Sequence, residues 1–311
     1  MLPKMPGLST NEQYRFHIRD MEFDFLSRTH IMGILNVTPD SFSDGGLFFD
    51  ATKAVERGLQ MAEEGADIID IGGESTRPGS QPVSEEEEMR RVVPVIERLA
   101  REVSIPLSID TCKSKVAEAA LHSGASIIND ISGMTIDPEM MPVAQKHSAT
   151  VVLMHIKGTP RTMQKKPQYD HVVREVFEFL SIQCKKADEH GIRQVIVDPG
   201  IGFGKDLGHN LDLMKGLKTF SLLGRPVLVG PSRKSFLGKL LNLPVEQRME
   251  GTSAAVTACI LHGANIVRVH DVKEMKRLGL VDEAEKLLDL IEGLSLKWLA
   301  SERDGKGWAD V

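Results

Sequence analysis

Eight short apolar runs, each stopping at a polar residue or a glycine, constrain this chain more than any other feature. They cover residues 30–35, 67–71, 105–109, 126–128, 150–154, 194–197, 226–229 and 266–269. Their stops are Asn36, Gly72, Asp110, Asn129, His155, Asp198, Gly230 and His270. A continuous apolar run of this length is a strand buried on both faces. Loop and then helix-patterned sequence follow each stop. Eight such units predict a (β/α)₈ TIM barrel with its chemistry at the C-terminal ends of the strands. A recurring turn supports the ring: Gly65, Gly124 and Gly263 share the form Gly-Ala-x-Ile, and Gly191 opens a looser copy. Each is expected to end a helix in left-handed geometry before the next strand begins.

Ahead of the ring, apolar and polar residues alternate at Tyr14, Phe16 and Ile18 and again at Met21, Phe23 and Phe25. Period two on both sides of Arg19-Asp20 predicts an N-terminal β-hairpin at the bottom of the barrel. Ser84 and Glu87 predict a capping box, and Pro94 a kinked or shortened helix. Asp137-Pro138 reads as N-cap and N1 of another helix. Residues 272–300 are patterned as helix. The 311 residues are expected to form a single domain, with the barrel over about 28–300 and loose tails at 1–12 and 301–311.

A net charge of −6 carries no basic footprint for nucleic acid, so any cationic site must be local. Three scattered cysteines fit neither a disulfide framework nor a zinc cluster. No leader-like or membrane-length apolar stretch is visible, and a cytoplasmic location is expected.

If the ring closes, Asp110, Asn129 and Asp198 share one mouth. Two buried carboxylates and an amide need partners, which a heterocycle rich in N–H donors supplies. The alternative for Asp110-Thr111 is capping of the following helix. Ser232, Lys234, Arg268 and His270, at the seventh and eighth strands, suit an anion, with the start of the 235–241 helix beside them. Arg268 lies between two valines in an apolar strand and needs a partner or a ligand. Two loops, 36–46 and 72–79, are long for βα turns and read as lids bringing Phe42, Asp44, Thr76 and Arg77 to the site. The residues therefore describe a bipolar site for a phosphorylated heterocycle.

Residues 36–46, 71–79, 109–111, 129–133, 154–160, 197–205, 230–235 and 268–272 resemble, in order, the motifs of the dihydropteroate synthase family. The resemblance implies a transferase of folate biosynthesis, inhibited by sulfonamides. It joins 6-hydroxymethyl-7,8-dihydropterin pyrophosphate to p-aminobenzoate, giving 7,8-dihydropteroate and pyrophosphate. It also implies that Asp110, Asn129, Asp198 and Lys234 hold the pterin, and Arg268, His270 and Asn36 the pyrophosphate, with Mg²⁺ at Asn36. Phe42, Thr76, Arg77, Pro78 and Ser235 then complete the p-aminobenzoate pocket. Asp110, Asp198, Lys234 and Asp44 become the catalytic set, and the protein a homodimer through its later helices. Two rivals share the pocket: a pterin-binding methyltransferase serving a corrinoid protein, and a noncatalytic pterin-binding homologue. Asp198→Asn and Arg268→Ala are both expected to fold and to lose turnover.

Overall fold

The computed structural model describes residues 12–38, 51–77 and 79–278. Two strands, β1 (Arg15–Ile18) and β2 (Met21–Asp24), pair antiparallel as the expected hairpin. Arg19 takes the left-handed turn position, with φ 57°. Eight parallel strands follow: β3 (His30–Asn36), β4 (Ile68–Gly72), β5 (Leu107–Asp110), β6 (Ile127–Asp130), β7 (Thr150–Met154), β8 (Val195–Asp198), β9 (Leu228–Val229) and β10 (Ile266–Val269). Strands β3 to β8 each pair with the next, β9 pairs with β10 and β10 with β3, and an isolated bridge from Val197 of β8 to Val227, just before β9, closes the ring. The strands begin and end within two residues of the apolar runs.

Each strand has two buried faces with different tasks. Ile69, Ile71, Ile109, Val151, Val195 and Val267 face outward onto the helices in the main core. Met32, Ile68, Ile127, Val152, Ile196, Leu228 and Ile266 face inward and form the barrel floor with Phe16, Ile18, Phe23 and Phe25 of the hairpin segment. The hairpin therefore plugs the bottom. Phe16 meets Phe25 edge-on at 5.1 Å between centroids. Burying each of these rings contributes about 1.5–3 kcal/mol, so the plug is a substantial part of the core.

The floor also fixes the site. Strand side chains alternate, so the next inward positions lie two residues further along, roughly 6–7 Å higher. From Ile68, Ile127, Ile196, Leu228 and Ile266, two steps lead to Asp70, Asn129, Asp198, Gly230 and Arg268. One layer of the barrel is thus apolar and the next is charged.

The outer helices are α1 (Ala51–Glu63), α2 (Glu85–Glu102), α3 (Ser114–His122), α4 (Met140–Lys146), α5 (Val172–Glu189), α6 (Leu207–Lys215), α7 (Ser235–Leu241), α8 (Met249–Leu261) and α9 (Val272–Arg277). Gly65, Gly124, Gly191 and Gly263 all have positive φ at the αβ turns, as the repeat predicts. Three local expectations need correction. Helix α2 is not shortened by Pro94, which lies on its exposed face, where the carbonyl freed by proline can turn to water. The Ser84 box is half formed: Ser84 Oγ accepts from Glu87 N at 3.2 Å, but the Glu87 carboxylate is taken by Arg90 and Arg91. Helix α4 starts at Met140, after Glu139, and Asp137 serves both sides: Oδ2 accepts the Ser114 amide at the start of α3 at 2.8 Å, and Oδ1 accepts the Glu139 amide in the turn before α4 at 3.0 Å. The helix expected over 272–300 is seen as α9, and the remainder lies outside the described residues. Among the described residues, no helix is long and apolar enough to cross a membrane.

Candidate active site

The charged layer converges at the C-terminal mouth. Asp110, Asn129 and Asp198 are all buried there, at the ends of β5, β6 and β8. Arg268 comes up from β10 between the acids. Its Nε donates to Asp70 Oδ2 at 2.6 Å and its Nη2 to Asp110 Oδ2 at 2.7 Å. Asn129 Nδ2 donates to the same Asp70 oxygen at 2.9 Å. Asp110 is thus committed to an ion pair, not to capping a helix.

This corrects the bipolar reading in one respect. The cation Arg268 does not stand apart with the anion-binding group; it lies within the acidic group. Asp70, missed at the sequence level, is the hub. It is 0% exposed, and its Oδ1 has no hydrogen-bond partner among the described residues. Arg268 and Asn129 are its side-chain donors, and breaking a buried ion pair by removing one partner is strongly destabilising. Arg268→Ala would break that pair, so it cannot be the fold-neutral change the sequence suggests.

Burial raises the Asp110 carboxyl above the ordinary carboxylate range, against the pull of Arg268. Burial likewise pushes Asp198 up to about 6, although its Oδ1 accepts the Gly200 amide at 2.7 Å. Lys234, half-buried at the N-cap of α7, sits with Nζ 3.7 Å from the Phe203 ring centroid. Desolvation, then the nearby Arg268 charge, brings its ammonium down to about 7. Arg268 itself is held charged by Asp70 and Asp110. A mouth with carboxyls pushed up and an amine pushed down is poised to change charge state when a ligand arrives.

The loop after β8 explains how Asp198 is held. Lys205, 2% exposed, places Nζ 3.0 Å from His155 Nδ1, 3.3 Å from His155 O and 3.0 Å from Phe203 O. His155 is driven by burial and by Lys205 to a pKa of about 3, so it is neutral and Nδ1 accepts. Asn210 Oδ1 accepts the Gly202 amide at 2.6 Å from below. Gly200 has φ 71°, and an added Cβ would lie 1.9 Å from the His155 carbonyl oxygen. Gly200→Ala is therefore expected to cost at least ~2 kcal/mol and to loosen the amide that holds Asp198. A melting curve with pterin-analogue titration tests this; unchanged melting and binding would mean the loop yields freely.

Ser232 and His270 meet on the other side of the mouth. Ser232 Oγ lies 3.0 Å from His270 Nδ1 and accepts the His270 amide at 3.3 Å. Burial, then Arg233, Arg268, Lys234 and Arg77, bring His270 to about 3, leaving it neutral. Arg77 is exposed on the second long loop, yet its charge reaches His270. That loop is anchored at its base: Glu74 and Glu88 both accept from Lys113 Nζ, and Arg91 donates to Gly73 O at 2.8 Å. Thr76 is half-buried beside Arg77, and Ser235 opens α7 exposed. Asn36 ends β3 half-buried, paired in register with Gly72. Phe42, Asp44 and Pro78 lie outside the described residues.

A third long loop, residues 155–171, was not singled out at the sequence level. It packs against the β8 loop, where Tyr169 Oη donates to Gly204 O and Gln164 Nε2 to Gly202 O, both at 2.9 Å. Its glycine and proline signals are weak, and only its length, between Met154 and the Val172 helix pattern, would have marked it.

Comparison with known proteins agrees with this geometry. A family model described as pterin binding enzyme matches residues 32–270. The dihydropteroate synthase of Synechocystis sp. is 48% identical over 265 residues, covering 84% of this chain and 92% of that protein. The Bacillus subtilis dihydropteroate synthase is 47% identical over 270 residues, covering 86% and 92%. Among solved structures, Yersinia pestis dihydropteroate synthase in a sulfonamide drug complex superposes with a TM-score of 0.82 at 43% identity, covering 88% of this chain and 99% of that one. The Xanthomonas albilineans enzyme in complex with 7,8-dihydropteroate gives a TM-score of 0.78 at 40% identity, covering 88% and 98%. With a family model over most of its length, relatives near half identity and the same barrel, the chain belongs to the dihydropteroate synthase family of pterin-binding enzymes.

Proposed function

We propose that this protein is a dihydropteroate synthase, a transferase that joins 6-hydroxymethyl-7,8-dihydropterin pyrophosphate to p-aminobenzoate and releases pyrophosphate. The observation that carries the reading is the buried Asp110, Asn129 and Asp198 at one mouth, with the half-buried Arg268 paired to Asp110 and with Lys234, Ser232 and His270 beside them. The pterin presents an amino group and ring N–H donors on one edge and carbonyl and ring-nitrogen acceptors on others. Carboxylates and an amide match the first and Lys234 the second. Burial makes each contact stronger, because water does not compete.

The pyrophosphate binds toward Arg268, His270 and Asn36. Since Ser232 Oγ accepts the His270 amide, its hydroxyl is free to donate to Nδ1, which leaves the imidazole proton on Nε2. His270 is then a neutral donor, suited to an anion without adding charge to a crowded mouth. The Asn36 side-chain oxygen is a hard ligand, and Mg²⁺ commonly takes one or two protein oxygens plus phosphate oxygens and water. Asn36, half-buried at the end of β3 on this mouth, can give one such oxygen. When bound, Mg²⁺ neutralises charge on the departing pyrophosphate.

As the C–O bond breaks, positive charge develops on the pterin methylene. Asp110 and Asp198 supply the negative side of the field there. The arylamine of p-aminobenzoate is neutral near pH 7 and attacks without a strong base. Thr76, Arg77 and Ser235, with Phe42 and Pro78, wall its pocket, and Asp44 assists at the amine or the cation. The protein works as a homodimer in the cytoplasm. Exposed Leu240, Leu241, Val245 and Leu261 on and around α7 and α8 support that dimer surface.

The test is pyrophosphate release on mixing both substrates with Mg²⁺, followed against pH. Release that requires p-aminobenzoate is expected; none would sink the reading and favour the methyltransferase or noncatalytic rivals. Because Asp198 is protonated below about 6, kcat/KM for the pterin substrate should fall about tenfold per pH unit on the acid side. A profile that stays flat through that range in folded enzyme would remove the Asp198 carboxylate from the mechanism.

A further inference from the structure

The bottom face of the barrel carries a second group of metal-ligating side chains, far from the mouth. Glu118 and His122 lie four apart on α3, so they share one face of the helix, and His147 caps the C-terminus of the neighbouring α4. One ligand atom from each of the three lies within 4.8 Å of the others.

Two details bear on the imidazoles as ligands: a helix-end bond that fixes the His122 tautomer, which His190 and His262 also make, and a buried nitrogen of His147 without a hydrogen bond. His122 Nδ1 is 2.9 Å from the Glu118 carbonyl oxygen, which can only accept, so the ring proton sits on Nδ1. This leaves the Nε2 lone pair available, and an Nδ1–H bond to a backbone carbonyl is how metal-binding imidazoles are commonly oriented. His147 Nε2 is buried and makes no hydrogen bond, with Glu118 Oε1 its nearest charged neighbour at 3.8 Å. A buried nitrogen without a partner costs free energy that a metal ion would recover. The two rings meet edge-on, 4.7 Å between centroids. On its other flank His147 lines a cavity of about 200 Å³ with His17, Arg19 and Ser126, which gives the ring room to turn.

We propose that Glu118, His122 and His147 bind one divalent transition-metal ion of the Zn²⁺ class. Two imidazoles and a carboxylate suit zinc, with metal–ligand distances of about 2.0–2.2 Å after small side-chain rotations and a fourth position left to water. Lys146 Nζ holds Glu118 Oε1 at 2.6 Å and is the competitor the ion displaces. The site joins the C-terminal ends of α3 and α4. On a TIM barrel this face serves stability and not catalysis, so the ion acts as a clamp between helices.

The experiment uses the full chain. Co²⁺ is added to the metal-free protein and the visible absorption of low-coordinate cobalt is followed, then Zn²⁺ affinity is measured by chelator competition. Wild type is expected to bind one ion at this site and to melt higher with Zn²⁺. His122→Ala, at an exposed helix end, and His147→Gln should weaken binding at least ~10-fold and lose the melting shift. Lys146→Gln should bind more tightly than wild type, a gain that no folding defect would produce. Pyrophosphate release should be the same in all three variants without zinc. The proposal is overturned if the cobalt spectrum and zinc affinity are the same in wild type, His122→Ala and His147→Gln, or if Lys146→Gln binds more weakly than wild type.

Discussion

Asp198→Asn is expected to release pyrophosphate about 10²–10³-fold more slowly than wild type and to melt at a higher temperature near pH 8. The two effects have one cause. Burial pushes the Asp198 carboxyl up to about 6, while the unfolded chain holds it near ~3.9. A difference of about two units corresponds to roughly 2–3 kcal/mol. The folded-state pKa is the higher one, so the ionised carboxylate opposes folding above about pH 6. That opposition shrinks as pH falls and is gone below about pH 4, where both states are protonated. Asparagine keeps the shape, and its Oδ1 can still accept the Gly200 amide that Asp198 accepts at 2.7 Å. The Lys205 and Asn210 contacts that hold the loop are untouched. What is lost is the negative charge facing the developing methylene cation. Melting curves near pH 8 and pH 4, with single-turnover kinetics, separate the two effects. A variant that is slower and also less stable near pH 8 would mean that Asp198 serves the fold.

The ring and the positions of its stops were legible because short strands buried on both faces leave no ambiguity about where polarity begins. Asp110 and Asp198 end their strands at the mouth, and Asn129 lies one residue before the end of β6. The hairpin was legible from period two, since its apolar side faces the barrel floor. Asp70 was not, although the rule that flagged Arg268 applies to it equally: a charge inside an apolar strand at inward parity. The run 67–71 carries two acids of different use: Asp67 pairs with Arg28 at its start, and Asp70 faces the barrel interior, where Arg268 reaches it. Lys205 was hidden for a different reason. Nothing local distinguishes a buried lysine that ties two loops together from a solvated one; the three acceptors it meets come from His155 and Phe203. The separation into acidic and cationic poles failed at Arg268 because residue order gives the layer a side chain occupies, but not which neighbour across the barrel it reaches.

Arg268→Ala should be the most damaging single change in the site, and through stability before chemistry. Its guanidinium donates to Asp70 and Asp110, 0% and 8% exposed. Removing one partner of a buried ion pair leaves an uncompensated charge and costs about 3–5 kcal/mol. Against a total stability of roughly 5–15 kcal/mol for a protein, that loss is large. Asp70, fully buried, loses its guanidinium partner in that variant, so Asp70→Asn in the same chain should recover part of the loss. The neutral amide can still accept from Asn129 Nδ2, now 2.9 Å from the carboxylate. Asp70→Asn alone should cost less, because Arg268 keeps Asp110. The cycle should therefore give a coupling of about 1–3 kcal/mol, read from denaturant melts at one pH. Turnover should stay low in the double variant, since the fold is repaired while the cation facing the pyrophosphate is still missing. In the wild type the same logic gives the substrate a task. An arriving anion must draw Arg268 partly away from two carboxylates, and Asp110, already raised by burial, can take up a proton or a pterin N–H as the pair loosens. An Arg268→Ala protein as stable as wild type would show that the pair contributes nothing to the fold. A double variant with full turnover would show that Arg268 serves the fold alone.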